Sequence, residues 1–168
     1  MVALLSRGVD VQYAIGGETA LSLAAKRYRV YIALAPSSFN SHRYRRGHVE
    51  IFNVLLPHFS HESAPSFLYD YISSITPPMT PNQSYFVPHI IQAAVARDAD
   101  WLEYTTPSND LTSCLHLAAS RCLDVVFTCL LANGADYLLN TICGVDGLTP
   151  IQMAEAALVQ SSGPDTTR

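Results

Sequence analysis

The chain has 168 residues, of which 49% are hydrophobic and 14% are charged, and its net charge is −4. This length fits one domain or a short array of repeats, and the apolar content excludes global disorder. The net negative charge argues against the basic surface that nucleic-acid-binding proteins carry. Four cysteines are too few for a disulfide scaffold, and no apolar run approaches the roughly 18 residues of a membrane span. We therefore expect an intracellular protein, cytoplasmic or nuclear, that binds neither nucleic acid nor membrane.

Short phrases recur from the beginning of the chain to its end. The sequence TALSLAA at residues 19–25 returns as SCLHLAA at 113–119 and returns in part at 149–154. Two further pairs of matching segments occur, at 4–10 and 130–136 and at 47–56 and 122–131. Recurrence of this kind indicates a repeat architecture.

Residues 113–147 predict a helix, a tight turn, a second helix and a long loop. The side-chain oxygen of Ser113 caps the first helix, and the apolar stretch 125–131 forms the second. Gly134 ends that helix in the left-handed conformation that favours glycine, and Pro150 suits the first position of the next one. This order is the unit of a solenoid, because one unit alone cannot bury its apolar face.

At these residues the chain resembles the ankyrin repeat, whose Thr-Pro-Leu-His signature and period of about 33 residues are distinctive. Leu115 and Ile151 are 36 residues apart, and the resemblance covers residues 1–27, 47–56 and 110–158. It implies an all-α, ankyrin-type α-solenoid of helix-turn-helix units with long β-turn-like loops, interrupted by two irregular segments. It also implies that His116 is structural and hydrogen-bonds between repeats; Ser22 and Gln152 hold the corresponding positions.

The first irregular segment is an insertion at residues 28–46. Without these 19 residues, 24–27 would join 47–51 directly and the sequence would read as an uninterrupted helix-turn-helix. One hypothesis is a binding loop, because long loops in compact domains are often functional. The other, which we favour, is translated intron sequence, because the composition of the insertion differs from that of its flanks. Sequencing of the transcript distinguishes them, since the intron hypothesis requires a spliced message without these codons.

The second irregular segment, residues 57–88, holds six of the ten prolines. Proline removes a hydrogen-bond donor and interrupts helices, so we predict no long helix there apart from 66–75. Residues 89–97 and 99–104 predict an eroded repeat. The expected organisation is ankyrin-like repeats at 1–56 and 89–160, the irregular segment 57–88 between them, and a disordered tail at 161–168.

The sequence lacks the patterns typical of catalysis or metal binding. It contains no glycine-rich phosphate loop and no G-x-S-x-G motif, and the intervals of seven, six and thirteen residues between its cysteines do not match a zinc site. Trp101 is either an interface anchor or, as we favour, a core residue of a degenerate helix. We expect no enzyme, no cofactor, no metal ion and no small-molecule substrate.

Similarity to ankyrin arrays implies a non-catalytic protein–protein interaction module that binds a protein partner through its concave surface. In that family the surface is formed by loop tips and by exposed positions of the first helices. The corresponding candidates are Ile15, Glu18, Lys26 and Arg27 in the first unit, Asn109, Asp110, Thr112, Ser120 and Arg121 in the later unit, and Asp146 and Leu148 in the last. Two alternatives stay open, namely a truncated or mis-spliced fragment without independent function and a targeting segment of a larger multidomain enzyme.

Overall fold

A computed structural model describes residues 10, 12–13, 16, 18–25, 51–60, 62–107, 112–143 and 147–161. These residues are mostly helical and contain no β-strand, and an isolated antiparallel bridge joins Thr105 to Ser113. The predicted all-α class is therefore confirmed. The insertion predicted at 28–46 lies outside the described residues, as does the predicted tail except for Ser161, which ends a helix.

Five α-helices with defined ends occur in the described part of the chain. They are α1 (Phe67–Ser73), α2 (Pro81–Arg97), α3 (Cys114–Ser120), α4 (Asp124–Ala132) and α5 (Pro150–Ser161). Short 3₁₀ helices occur at Leu56–His58, Ala99–Leu102 and Ala135–Asn140, and further helical residues at 20–25 and 51–55. None of the described helices is long and apolar enough to cross a membrane.

Several helices begin with the same local arrangement, in which a threonine or serine hydroxyl accepts a hydrogen bond from the backbone N–H three residues later. This contact satisfies one of the amides that a helix leaves free at its first turn. Four helices begin in this way. In three of them the side chain of the residue three positions later also accepts a hydrogen bond from the backbone N–H of the capping residue, which completes a reciprocal capping box. The pairs are Thr19 with Ser22, Thr80 with Gln83, Ser113 with His116 and Thr149 with Gln152.

The short helices contact one another in succession, α1 with α3 and α3 with α5, and α2 contacts α4. Trp101 is fully buried at the Ala99–Leu102 turn, and its ring centroid lies 5.3 Å from that of Phe67. The indole N–H donates to the backbone oxygen of Ala64 at 2.8 Å. A buried aromatic ring with a satisfied N–H is typical of a core residue. The structure thus supports the core role of Trp101 over an interface anchor.

The prediction that 57–88 lacks a second long helix is wrong. Helix α1 matches the expected segment 66–75 closely, but α2 begins at Pro81 and runs through the boundary placed after residue 88. Pro81 occupies the first helical position, where the missing N–H would have had no partner and the fixed φ suits the helix. Pro88 lies inside the helix, where it leaves one hydrogen bond unmade without ending α2. Counting prolines therefore overestimated the irregularity of this segment.

Candidate functional site

The best-defined local site joins the start of α3 to the loop that precedes α5. His116 is fully buried, and its Nδ1 lies 2.7 Å from the Ser113 hydroxyl oxygen and accepts from the Ser113 backbone N–H at 3.4 Å. Its Nε2 lies 3.0 Å from the carbonyl oxygen of Thr141. Because a carbonyl only accepts, Nε2 carries the proton and Nδ1 acts as the acceptor. A neutral ring thus bonds at both ends.

Burial lowers the pKa of His116, because charging the ring inside the protein removes its hydration. The Thr141 and Leu148 carbonyls oppose this shift without reversing it. The histidine therefore stays neutral near pH 7 and holds the loop onto α3. The bond to Thr141 gives His116 a structural role; the expected position of that bond between repeats stays a prediction.

The segment between α4 and α5 is more ordered than the long loop predicted there. Gly134 has φ +95°, the left-handed conformation expected at the end of α4, and a 3₁₀ helix follows at Ala135–Asn140. The backbone N–H of Cys143 then donates to the Leu148 carbonyl oxygen at 3.1 Å, which closes the chain before α5. Cys143 is buried by this closure, so its side chain is not presented to solvent.

Three candidate binding residues occupy equivalent positions, each one residue before a capping residue. Glu18, Thr112 and Leu148 precede Thr19, Ser113 and Thr149, and all three are half-buried. Ser120 is exposed at the opposite end of α3. The candidates that lie outside the described residues are Ile15, Lys26, Arg27, Asn109, Asp110 and Asp146.

Arg121, another candidate, already has partners within the chain. Its guanidinium donates to the backbone oxygens of Ser73 and Ile75, at the end of α1. Helix C-termini leave such carbonyls without intrahelical donors and attract cations. Arg121 thus links the end of α3 to the end of α1, a role that sequence reasoning missed because nothing in the sequence marked α1 as its neighbour.

Tyr137 was also missed by sequence reasoning. Burial raises the pKa of Tyr137, and the nearby Glu103 carboxylate raises it further, as does Asp100 more weakly. Tyr137 itself is half exposed, at 53%.

The nucleophilic side chains of Ser113 and Cys114, at the start of α3, are fully buried. Burial raises the pKa of the Cys114 thiol to about 12, so this cysteine is protonated and inert at neutral pH. No group of three histidine, cysteine or acidic side chains in the described part of the chain is placed to hold a metal ion. Comparisons of the chain with family models, with curated proteins and with solved structures find no match.

Proposed function

We propose that the chain is part of an ankyrin-type solenoid and acts as a non-catalytic module that binds a protein partner. The observation that carries the proposal is one order of elements found twice. A short helix is followed by a second helix, a 3₁₀ turn and a loop, first from α1 to 107 and again from α3 to 149. We call each such stretch a unit.

Contacts between equivalent elements favour stacking of the units. The short helices form the inner row α1, α3 and α5, and the second helices α2 and α4 form an outer row. Equivalent elements in contact are what a solenoid requires, because each unit buries its apolar face on the next.

Specific polar contacts strengthen these unit boundaries. Arg121 of one unit donates to the carbonyl oxygens of Ser73 and Ile75 in the unit before it. His116 bonds the loop that leads to α5, and Trp101 bonds the segment that precedes α1. Each contact uses a backbone carbonyl and leaves surface side chains free to vary. The Arg121 contact fixes one unit against its neighbour, whereas the His116 contact orders the loop that leads from its own unit to α5.

An extended stack exposes a long edge, which suits recognition of another protein. That edge would consist of the residues just before the capping positions and those at the ends of the inner helices. Thr112, Ser120 and Leu148 are its described members on α3 and α5. The proposed partner is a protein in the cytoplasm or nucleus, bound without cofactor, metal ion or small-molecule substrate.

The experiment compares proteins captured from a cell extract by the full chain and by two arginine variants. Ser120→Arg places a large cation on the inner row, and Ala96→Arg places the same group on exposed α2 in the outer row. We expect a protein that is captured by the wild-type chain and by Ala96→Arg but lost with Ser120→Arg. Capture that is indifferent to Ser120→Arg, or lost equally with both variants, contradicts the proposal.

The alternative of a fragment without independent function is tested by thermal denaturation. A single core cluster connects buried residues from Leu21 to Leu138, so the stacked units are expected to unfold together. Circular dichroism should show one cooperative loss of helix. A gradual loss with no transition would instead favour the fragment hypothesis.

A further inference from the structure

An open groove runs along the outer row, between α2 and α4. One part, of about 510 Å³, lies between the connection at Pro77 and Pro78 and the beginning of α4. The other, of about 540 Å³, lies between Pro88 and the middle of α4. Asp124 and Val125 line both parts, so the two parts adjoin at the beginning of α4.

Side-chain size explains why the helices leave this space. The face of α4 toward the groove carries the small residues Thr128, Cys129 and Ala132. On the other side the proline rings give a stiff apolar wall whose nitrogens have no hydrogen to donate. The lining is mixed, because Ser84, Gln92 and Asn133 add polar side chains to these apolar walls.

Asp124 is the one charged side chain among the described residues that line the groove. Its side chain is exposed at the first position of α4, and it has no hydrogen-bond or ion-pair partner among the described residues. The described residues hold ten acidic side chains and two lysine or arginine side chains, Arg97 and Arg121. Both arginines donate to backbone carbonyls elsewhere, so the described part of the chain offers no cation to Asp124.

We propose that this groove binds an extended peptide segment of a partner protein. The segment places a lysine or arginine against Asp124 and apolar flanking residues against Val125 and the proline wall. Charge complementarity selects the central residue, and the apolar walls select its neighbours. This outer-row site is separate from the inner-row surface and does not depend on it.

The probe is a random peptide library displayed on phage and selected on the full chain. Enriched peptides should carry a basic residue with apolar neighbours, and they are then synthesised with a fluorophore for anisotropy titration. Asp124→Asn should weaken binding about fivefold, as loss of a solvent-accessible ion pair predicts, and should reduce its salt dependence. Asp136→Asn is the matched control, because Asp136 is equally exposed at the start of a helical turn but lies outside the groove. Thr128→Trp, at an exposed groove position, should block binding by filling the space.

Cys122 reports whether the groove is empty, because it is exposed and lines one end. In the free chain it should react readily with iodoacetamide, and the selected peptide should protect it. Enrichment of no peptide, of peptides without a basic residue, or of peptides indifferent to Asp124→Asn overturns the proposal. If Cys122 is protected from iodoacetamide in the free chain, residues of this chain fill the groove. If the chain self-associates and Asp124→Asn abolishes that association, a second copy of the chain fills it. Either result also overturns it.

Discussion

His116→Ala is expected to destabilise the chain far more than the matching change in α5. The imidazole is fully buried and bonded at both ring nitrogens. Its removal leaves the Thr141 carbonyl without this donor, at a cost of about 1–3 kcal/mol. The cavity left by the ring brings the expected total to about 3 kcal/mol.

Gln152→Ala is the matched control. Gln152 holds the same position in the capping box of α5, but it is exposed, and its side chain accepts a hydrogen bond from the Thr149 backbone N–H. Loss of this contact should cost about 0.5–1 kcal/mol. Urea denaturation followed by circular dichroism measures both free energies of unfolding. Equal losses in the two variants would refute the view that His116 holds the loop onto α3.

The pH dependence gives a second readout of the same residue. Burial lowers the pKa of His116 in the folded chain, so the unfolded chain takes up the proton first as the pH falls. The neutral ring contributes its full stability above pH about 6.5, the ordinary pKa of histidine in the unfolded chain. That stability is lost as the pH falls from there through the lower pKa of His116 in the folded chain. His116→Gln cannot titrate, so the stability gap between it and the wild-type chain should narrow on acidification. A gap that stays constant from pH 7 to pH 5 contradicts this assignment.

Three further predictions concern single residues. Trp101→Phe keeps an aromatic ring but removes the N–H donated to Ala64, which should lower the free energy of unfolding by about 1–2 kcal/mol in urea; an unchanged value is the contrary result. Gly134→Ala should cost about 1 kcal/mol from its positive φ alone, because no atom lies near enough to contact the added methyl group; Gly134→Asn should cost less. In native alkylation at pH 8 read by mass spectrometry, Cys122 should react and Cys114 should not; equal labelling would refute the burial of Cys114.

The helices that the sequence predicted best are those whose start carries a short-range signal. At α3 a capping residue precedes a small, apolar run, and at α5 Thr149 is followed by proline. Both signals depend on three or four neighbouring residues, so they can be interpreted without knowledge of the fold. The same signal was present at Thr80 and Pro81, with Gln83 at the third helical position. It was missed because the nearby prolines were interpreted as breakers.

Contacts between distant residues could not be predicted in this way. Arg121 resembled a surface residue because the sequence does not reveal that the end of α1, 46 to 48 residues earlier, lies against it. The groove beside Asp124 likewise arises from the spacing of two helices. Local propensity determines where a helix begins, whereas the surface a residue occupies is determined by tertiary packing.

The central claim is that α1, α3 and α5 form an open row, and a distance measurement tests it most directly. Two double-cysteine variants are made in a chain whose Cys122 and Cys129 are replaced by serine. Nitroxide labels at Ser73→Cys and Glu155→Cys report the separation of α1 from α5. Labels at Ser120→Cys and Glu155→Cys report the separation of α3 from α5. Neighbouring helix axes lie about 8–10 Å apart, so pulsed electron paramagnetic resonance should give an α1–α5 separation about twice that of α3 and α5. Equal separations would show a closed bundle in which α1 meets α5, and would contradict the stacked array.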